Sequence, residues 1–269
     1  MVQESARGLS IDDQGGSGDF ILFVHGLGGT SNTFAPQTHV LKHDHRVVAY
    51  DLAGSGRSPL PERLTIERHV EDLAHVATQL GIERFHLVGH SMGTIICQHF
   101  AARWPKGVVS LALFGAFPEP PSAARDALRT RADNARKHGM RPIADTIVAN
   151  GIAEDVRTHQ PAALAFVRES IMTQSPEGYA KNCEALASAT AVDLTGIRCA
   201  VLLVTGDSDK TAPVDTARAM ASNLADVELA VVPGCGHWPT IERASHSNYL
   251  LAKFFATLRQ RGRAQDIRS

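Results

Sequence analysis

The stretch 85-FHLVGHSMGTIIC-97 joins a short apolar run to a second one through a turn that holds one serine between two glycines. The run before the turn is typical of a buried strand, and the run after it is typical of a helix. Side chains at positions 89 and 93 would collide with nearby backbone in so tight a turn. The stretch fits the strand–turn–helix pattern G-x-S-x-G, in which the serine is a nucleophile. Either the turn holds Ser91 out for chemistry, or its glycines only let the backbone turn.

Short apolar runs recur on both sides of this stretch. Because their hydrophobicity is continuous rather than alternating, they predict strands buried on both faces, as in a parallel sheet. Helical patterns lie between them, and this alternation indicates an α/β protein with a mostly parallel sheet. The predicted strands are 19–24, 45–50, 85–88, 109–114, 200–205 and 227–232, and the predicted helices are 65–82, 94–105, 216–225 and 246–260.

The strand pattern stops between residues 118 and 190. PEPPS opens this segment, and only helical pieces of mixed polarity follow it. A second independent domain is the alternative, but about 70 residues is marginal for one. We therefore expect a core formed by residues 1–117 and 191–269, with residues 118–190 as a helical cap over the C-terminal edge of the sheet.

The composition of the 269 residues is 43% hydrophobic and 20% charged, which is typical of a globular protein. The net charge of -1 creates no field that would attract nucleic acid or an anionic membrane, so neither is an expected partner. No apolar run approaches the ~20 residues of a membrane span, and no signal-peptide pattern is present, so we expect a cytoplasmic protein. The four widely spaced cysteines favour reduced thiols over a disulfide framework.

A nucleophilic serine needs a base within hydrogen-bond reach and an acid that orients the base. In the G-x-S-x-G arrangement these partners follow in the order Ser, Asp or Glu, His. The loop TGDSDKTAP after the fifth predicted strand offers Asp207 and Asp209, and the loop PGCGHWP after the sixth offers His237. Both loops follow parallel strands, at the edge where open α/β sheets place their ligand crevice. We therefore expect His237 to be the base of Ser91.

Attack by serine on a carbonyl also needs hydrogen-bond donors for the oxyanion that forms. FVHGLGGT at 23–30 places a glycine-rich turn after a strand, where the backbone can approach a ligand closely. The backbone amides of Leu27 and Met92 are the expected donor pair. A phosphate-binding loop is the alternative, but the stretch lacks both G-x-G-x-x-G and the Lys-Ser/Thr of a P-loop.

Three histidines, His39, His43 and His45, lie close together in the sequence. They occupy a polar stretch without matching cysteines or carboxylates, so a solvated loop is favoured over a metal site. We expect neither a metal nor another cofactor.

Five stretches together resemble the α/β-hydrolase superfamily: HGLGGT, DLAGSGRS, GHSMG, GDSDKTAP and GCGHWPTIERA. The resemblance implies that fold, with a mostly parallel central sheet flanked by helices and the helical cap inserted before the last strands. It also implies a Ser-His-Asp triad, in which the acid resembles the second carboxylate of its loop and is thus Asp209 rather than Asp207. A few relatives take the acid from the preceding loop, which keeps Glu119 in reserve.

The cap stretches HGMRPIADTIV (138–148) and SPEGYAKNCEALASA (175–189) resemble the 3-oxoadipate enol-lactonases. These enzymes open a small carboxylated enol-lactone in aromatic degradation, so the resemblance implies a serine hydrolase that forms an acyl-enzyme. The chain departs from them at His90, where an apolar residue is usual, and at DLAGSGRS, where DxRGHGxS is usual. A general carboxylesterase or lactonase and a ligand-binding receptor on a hydrolase scaffold are the alternatives.

An anionic lactone is expected to meet a cation or several donors in its pocket. Three further residues, His90, Phe117 and Trp238, are candidates for the pocket lining. The first half of the cap is rich in arginine, and the sequence pattern does not show which arginine would face the pocket. The arginines are Arg125, Arg129, Arg131, Arg136 and Arg141.

Overall fold

The computed structural model describes residues 2–266, with side chains described for residues 2–262. The strands are β1 (Val2–Glu4), β2 (Ser10–Gly15), β3 (Phe20–Val24), β4 (Arg46–Tyr50), β5 (Phe85–His90), β6 (Val108–Phe114), β7 (Ala200–Gly206) and β8 (Val227–Val232). The helices are α1 (Ala35–Leu41), α2 (Ile66–Gln79), α3 (Met92–Arg103), α4 (Ser122–His138), α5 (Met140–Gly151), α6 (Glu154–His159), α7 (Pro161–Met172), α8 (Pro176–Ala187), α9 (Val214–Ala221), α10 (Pro239–Glu242) and α11 (Ala244–Asp266).

All eight strands form one sheet in the order β1-β2-β4-β3-β5-β6-β7-β8. From β4 through β8 every neighbouring pair is parallel. Only the pairs made by β2 are antiparallel within the described residues. The mostly parallel sheet flanked by helices, predicted from the apolar runs, is confirmed.

Two strands, β1 and β2, escape prediction from the sequence. The sequence of β2 is SIDDQG, which is mostly polar and lacks an apolar run. Its place in the sheet comes from pairing with β4, where Ile11 lies opposite Tyr50 and Asp12 opposite Ala49. Strand formation at this edge therefore depends on tertiary pairing rather than on local preference.

The sheet has an apolar core on each face. Alternate residues of β3 point to opposite faces, so Leu22 and Val24 pack with α2 and α3 while Ile21 and Phe23 pack with α1 and α11. All four side chains are 0% exposed. Burial on both faces explains why the strands read as continuous apolar runs.

Five helices, α4 to α8, are inserted between β6 and β7. No strand lies among the described residues between Phe114 and Ala200. Helix α8 contacts the rest of the fold through Asn182, whose side-chain amide donates to the carbonyl of Ala53 at 3.1 Å and whose Oδ1 lies 2.9 Å from Nε2 of His69. These two hydrogen bonds hold α8 against the loop after β4 and against α2.

Among the described residues, the fold contains neither a disulfide bond nor a helix that could span a membrane. The four cysteines are free thiols. Between residues 2 and 266, every helix is either too short or too polar to cross a lipid bilayer.

Candidate active site

Ser91 occupies a strained turn between β5 and α3. Its φ is 52° and its ψ is -121°, and it is the only non-glycine among the described residues with positive φ. Such a conformation costs about 1–3 kcal/mol and persists only where the surroundings fix it. A Cβ on Gly93 would lie 2.2 Å from the carbonyl oxygen of Val24, and one on Gly89 would lie 2.9 Å from that of Gly93. A side chain at either position would therefore collide with the backbone, as expected from the sequence.

The turn brings Ser91 to His237, and His237 to Asp209. The Ser91 hydroxyl donates to Nε2 of His237 at 2.9 Å, and Nδ1–H of His237 donates to Asp209 Oδ2 at 2.8 Å. The three residues come from loops after β5, β7 and β8, which end at the same edge of the sheet. Ser91 is 8% exposed, His237 7% and Asp209 5%, so the chain of hydrogen bonds is shielded from water.

Asp209 is held ready to carry a negative charge. Its Oδ1 accepts the backbone N–H of Thr211 at 2.8 Å and of Ala212 at 2.9 Å. Burial alone would raise the pKa of the Asp209 carboxyl, but His237 and the two amides outweigh burial and hold the pKa below its usual value. The ionised carboxylate keeps the proton of His237 on Nδ1 and leaves Nε2 free to accept from Ser91.

The other two carboxylates considered from the sequence lie away from His237. Asp207 accepts the backbone N–H groups of Gly234 at 3.0 Å and Cys235 at 3.2 Å, and so shapes the loop before the histidine. Glu119 forms an ion pair with Arg125 at 2.8 Å. Asp209 is therefore the carboxylate that the fold brings to His237.

Glu242 is a site residue that sequence reasoning did not single out. It is 1% exposed, and its two oxygens accept the backbone N–H groups of Ala153, Gly236 and Trp238, each at 2.9 Å. Gly236 and Trp238 flank His237, so Glu242 fixes the loop from both sides. Burial raises the pKa of Glu242 although the three amides oppose the rise. Its position five residues after His237 was the available signal, but a glutamate in a polar stretch carries no sign of burial.

The loop after β3 is shaped by His25, also not singled out. The backbone N–H of Leu52 donates to Nε2 of His25 at 2.9 Å, so the ring proton is on Nδ1 and donates to the carbonyl of Gly26 at 2.8 Å. Gly28 adopts φ +77°, and Gly29 N–H closes the turn onto Gly26 at 3.0 Å. The turn therefore has one defined shape beside the serine.

The two amides expected to bind an oxyanion are free to do so. The N–H of Leu27 donates no hydrogen bond to another described residue. Met92 is the first residue of α3, where a helix has no carbonyl one turn earlier to accept its N–H. Leu27 lies beside Ser91 in the wall of one cavity.

That cavity has a volume of about 410 Å³ and contains Ser91 and His237 in its wall. Phe117 and Trp238 line it, at the positions considered from the sequence. Leu128 of α4 and Ile147 of α5 add apolar surface from the inserted helices. The cavity can therefore hold a small, largely apolar molecule against the serine.

His90 does not line the cavity, in contrast to the expectation from the sequence. It is 0% exposed, and its Nε2–H donates to the backbone carbonyl of His237 at 2.7 Å. Its ring packs 4.8 Å from that of Trp238, centroid to centroid. Burial, more than the nearby His237, lowers the pKa of His90 to about 3, so the ring stays neutral. His90 therefore supports the loop that carries His237, on the side of this loop away from the cavity.

Of the five arginines in the first half of the insertion, only Arg131 lines the cavity. Arg125 donates to the backbone carbonyl of Ala187 at 2.7 Å as well as pairing with Glu119. Arg129 pairs with Asp126 on the exposed side of α4 at 2.8 Å. The remaining two are exposed: Arg136, which pairs with Glu177 and Glu184, and Arg141.

His39, His43 and His45, which were considered as a metal cluster, do not lie together in the structure. His39 and His43 stand with ring centroids 6.4 Å apart, while His45 is buried against Phe255. In the part of the chain that the structure describes, no three His, Cys, Asp or Glu side chains are grouped so as to hold a metal ion.

A serine on a strained turn, in a parallel sheet with the histidine and aspartate loops at its edge, defines an α/β hydrolase. Residues 21–246 match the model of the alpha/beta hydrolase family, and the chain belongs to this family. RutD of Stutzerimonas stutzeri, provisionally described as a carbamate hydrolase, is 28% identical over 259 residues, covering 88% of this chain and 91% of RutD. The 3-oxoadipate enol-lactonase 1 of Acinetobacter baylyi is 26% identical over 228 residues, covering 83% of each chain.

Solved structures agree with this assignment. The enol-lactonase from Burkholderia xenovorans superimposes with a TM-score of 0.88 at 27% identity, covering 95% of this chain and 100% of that one. A thermophilic esterase from Thermogutta terrifontis gives 0.90 at 24% identity, covering 96% and 99%, and shows the likeness of fold. The resemblance to α/β hydrolases with enol-lactonase-like relatives is confirmed, and the chain is a hydrolase of this family.

Proposed function

We propose that the protein is a serine hydrolase that cleaves a small carboxylic ester or lactone through an acyl-enzyme. The observation that carries the proposal is the chain of hydrogen bonds from Ser91 through His237 to Asp209, at 2.9 and 2.8 Å. It opens into a cavity that is also lined by Leu27, whose amide is one of the expected oxyanion donors. Nucleophile, base, orienting acid and oxyanion donor thus meet at one place, which is the requirement for acyl transfer.

The geometry supports the following first half-reaction. Nε2 of His237 takes the proton of the Ser91 hydroxyl as its oxygen bonds to the substrate carbonyl carbon. The carbonyl oxygen becomes an oxyanion, and the amides of Leu27 and Met92 donate to it. When the intermediate collapses, the bond to the leaving oxygen breaks, and His237 returns the proton to that oxygen. The acyl group is then an ester of Ser91.

Water completes the reaction. His237 takes one proton from water as its oxygen attacks the acyl carbon, and returns that proton to Ser91 when the ester bond breaks. Asp209 stays ionised throughout and stabilises the imidazolium in both halves. A lactone gives one product, because its leaving oxygen stays attached to the acyl group.

We propose that the inserted helices, within residues 118–190, form a lid on a core made by residues 1–117 and 191–269. The support is that α4, α5 and α8 each contribute to the wall of the cavity that contains Ser91. A lid decides which acyl groups reach the serine and keeps bulk water from the oxyanion site. It is expected to control substrate choice more than the chemical step.

The proposed substrate class within this reaction is that of the enol-lactonases, in the breakdown of aromatic compounds. The likeness to two enol-lactonases, in sequence and in structure, supports it. A general carboxylesterase or lactonase is the second candidate, favoured by the mostly apolar wall of the cavity. Likeness to RutD extends the candidates to a carbamate, whose carbonyl carbon the same serine would attack. A pure ligand-binding receptor is disfavoured by the intact hydrogen-bonded serine and base.

A substrate panel tests the proposal. We expect the wild-type protein to release nitrophenol from 4-nitrophenyl acetate, and folded Ser91→Ala to release it several orders of magnitude more slowly. Enol-lactones, saturated lactones, short alkyl esters and N-alkyl carbamates, compared by kcat/KM, then rank the candidates. No turnover of any of these compounds by the wild-type protein would refute the hydrolase mechanism and favour the receptor.

A further inference from the structure

Arg131 stands apart from the other charged residues of the inserted helices. It lies on α4 and lines the same cavity as Ser91. Among the described residues it forms no ion pair, whereas Arg125 and Arg129 on the same helix each pair with a carboxylate at 2.8 Å. A guanidinium in a cavity wall without a carboxylate partner is positioned to receive an anion from outside.

The rest of the cavity wall leaves this charge uncompensated. No aspartate or glutamate belongs to the described lining, and the second charged residue of the wall is the cation Lys210. Around Arg131 the wall is apolar, with Ala127 and Leu128 from α4 and Leu186 from α8. An apolar wall weakens solvent screening, so a carboxylate there would interact strongly with the guanidinium.

Tyr179 connects Arg131 to the loop that contains Leu27, one of the two expected oxyanion donors. Cε2 of Tyr179 lies 3.3 Å from the position that a Cβ on Gly28 would take, so the ring packs on the residue after Leu27. Its hydroxyl is buried beside the thiol of Cys183 and the guanidinium of Arg131, without a well-formed hydrogen bond to either. Burial raises the pKa of the Cys183 thiol to about 12, and the charge of Arg131 opposes that rise. One tyrosine ring thus separates Arg131 from the oxyanion loop.

We infer that Arg131, with the hydroxyl of Tyr179, forms a carboxylate-binding subsite, and that the substrate carries a carboxylate a few bonds from its reacting carbonyl. This inference rests on the proposed hydrolase function and narrows its substrate class to small anionic esters or lactones. The guanidinium presents paired N–H donors that match the two oxygens of a carboxylate. A single guanidinium and a neutral hydroxyl suit one negative charge.

Two matched pairs of esters measure the preference. In the first pair the carboxylate is on the acyl part: mono-4-nitrophenyl adipate against 4-nitrophenyl hexanoate. In the second pair it is on the leaving group: 4-acetoxybenzoate against its methyl ester. We expect the wild-type protein to favour the charged member of one pair in kcat/KM, after subtraction of the uncatalysed rate, and the pair shows on which side the carboxylate lies.

The variants assign the preference to one residue. Arg131→Met is expected to lower kcat/KM for the favoured charged ester by about 10- to 100-fold, mainly through KM, because a hydrogen bond to a charged group is lost. The loss should be larger for the charged ester than for its neutral partner, and Arg131→Lys should recover part of it. Arg129→Met, which removes an exposed arginine from the same helix, is the matched control and should change neither ester.

The inference is overturned if the wild-type protein treats the charged and neutral members of both pairs alike, or if Arg131→Met keeps the preference. Those results leave the hydrolase mechanism intact as long as neutral esters are cleaved and Ser91→Ala abolishes cleavage. Calorimetric titration with monomethyl adipate, which carries one carboxylate, gives a readout that needs no turnover. Binding by Ser91→Ala that is lost in the double variant Ser91→Ala/Arg131→Met supports the subsite, and equal binding by both refutes it.

Discussion

The carboxylate of Glu242 accepts the backbone N–H of Ala153 at 2.9 Å and thereby ties the inserted helices to the loop of His237. A second bond runs the other way, from the N–H of His237 to the carbonyl of Gly151 at 2.7 Å. The proposed base therefore takes its backbone position from the insertion as well as from the sheet. Movement of this part of the insertion would also move the base relative to Ser91.

Glu242→Gln is expected to lower kcat by about ten-fold or more while KM changes little. The glutamine amide replaces an acceptor by a donor, so a buried backbone N–H near His237 loses its partner, at about 1–3 kcal/mol. Steady-state kinetics on a neutral aryl ester measures the effect, and the melting temperature reports folding. Glu184→Gln on α8, which removes an exposed ion pair with Arg136 instead, is the control. Unchanged kcat in folded Glu242→Gln would show that the histidine loop is held without this carboxylate.

Asp209→Asn is expected to lower kcat by several orders of magnitude, and Asp207→Asn by far less. Only Asp209 contacts His237, so its amide replacement removes the acceptor for Nδ1–H and favours the wrong tautomer. Asp207 instead accepts two backbone N–H groups of the next loop, and its loss should act mainly through stability. Measuring kcat and melting temperature for both variants separates the two effects. The reverse ranking would mean that the register of this loop is wrong.

Acidification should destabilise the fold before the aspartates titrate. Burial lowers the pKa of His69 and His86 to about 4 and of His90 to about 3, so the unfolded chain binds protons first as pH falls below about 6.5. The contribution of these neutral rings to the free energy of unfolding is complete above about pH 6.5. It is lost as the pH falls from there toward 4. Asp209, whose pKa is lowered from 3.8, adds its loss only below that range.

Urea unfolding across this window checks the expectation. The free energy of unfolding should fall by a few kcal/mol between about pH 7 and pH 4.5, since each unit of pKa difference corresponds to about 1.4 kcal/mol. His86→Gln should flatten the slope, because it removes one of the buried rings that stay neutral in the folded protein. A constant free energy of unfolding through this range would contradict the burial of the rings as neutral groups.

Ser91→Ala and His237→Ala are each expected to lower kcat by several orders of magnitude without unfolding the protein. The double variant should be little worse than either single one, because nucleophile and base act as a unit. Kinetics on one aryl ester, with circular dichroism as the folding control, measures all three variants. Losses that multiply in the double variant would show that the two residues act independently.

Local chemistry made much of this site predictable from the sequence. Apolar runs identify the parallel strands, and parallel strands end at one edge, so the loops after them had to meet there. The collision of a Cβ at Gly89 or Gly93 follows from the turn itself, which is why Ser91 could be placed before its partners. The choice of Asp209 over Asp207 came from resemblance, since both lie in one loop and local pattern does not separate them.

Contacts distant in sequence account for what could not be predicted. Strand β2 forms because β4 pairs with it, and Glu242 is buried because three backbone amides converge on it. His90 was expected in the pocket, but its neighbour Ser91 points into the cavity while its own ring packs behind His237. Arg131 could not be told from its neighbouring arginines because only the packing of α4 decides which one faces the cavity.

Covalent labelling shows directly whether Ser91 is the nucleophile. A fluorophosphonate mimics the acyl transition state and bonds to an activated serine oxygen. Mass spectrometry of the treated protein should show one adduct, on the peptide that contains Ser91, with esterase activity falling in proportion to labelling. Ser91→Ala should take up no label, and His237→Ala should take it up far more slowly. Full activity in protein whose Ser91 is completely labelled, or inactivation by label on another residue, would mean that Ser91 is not the nucleophile.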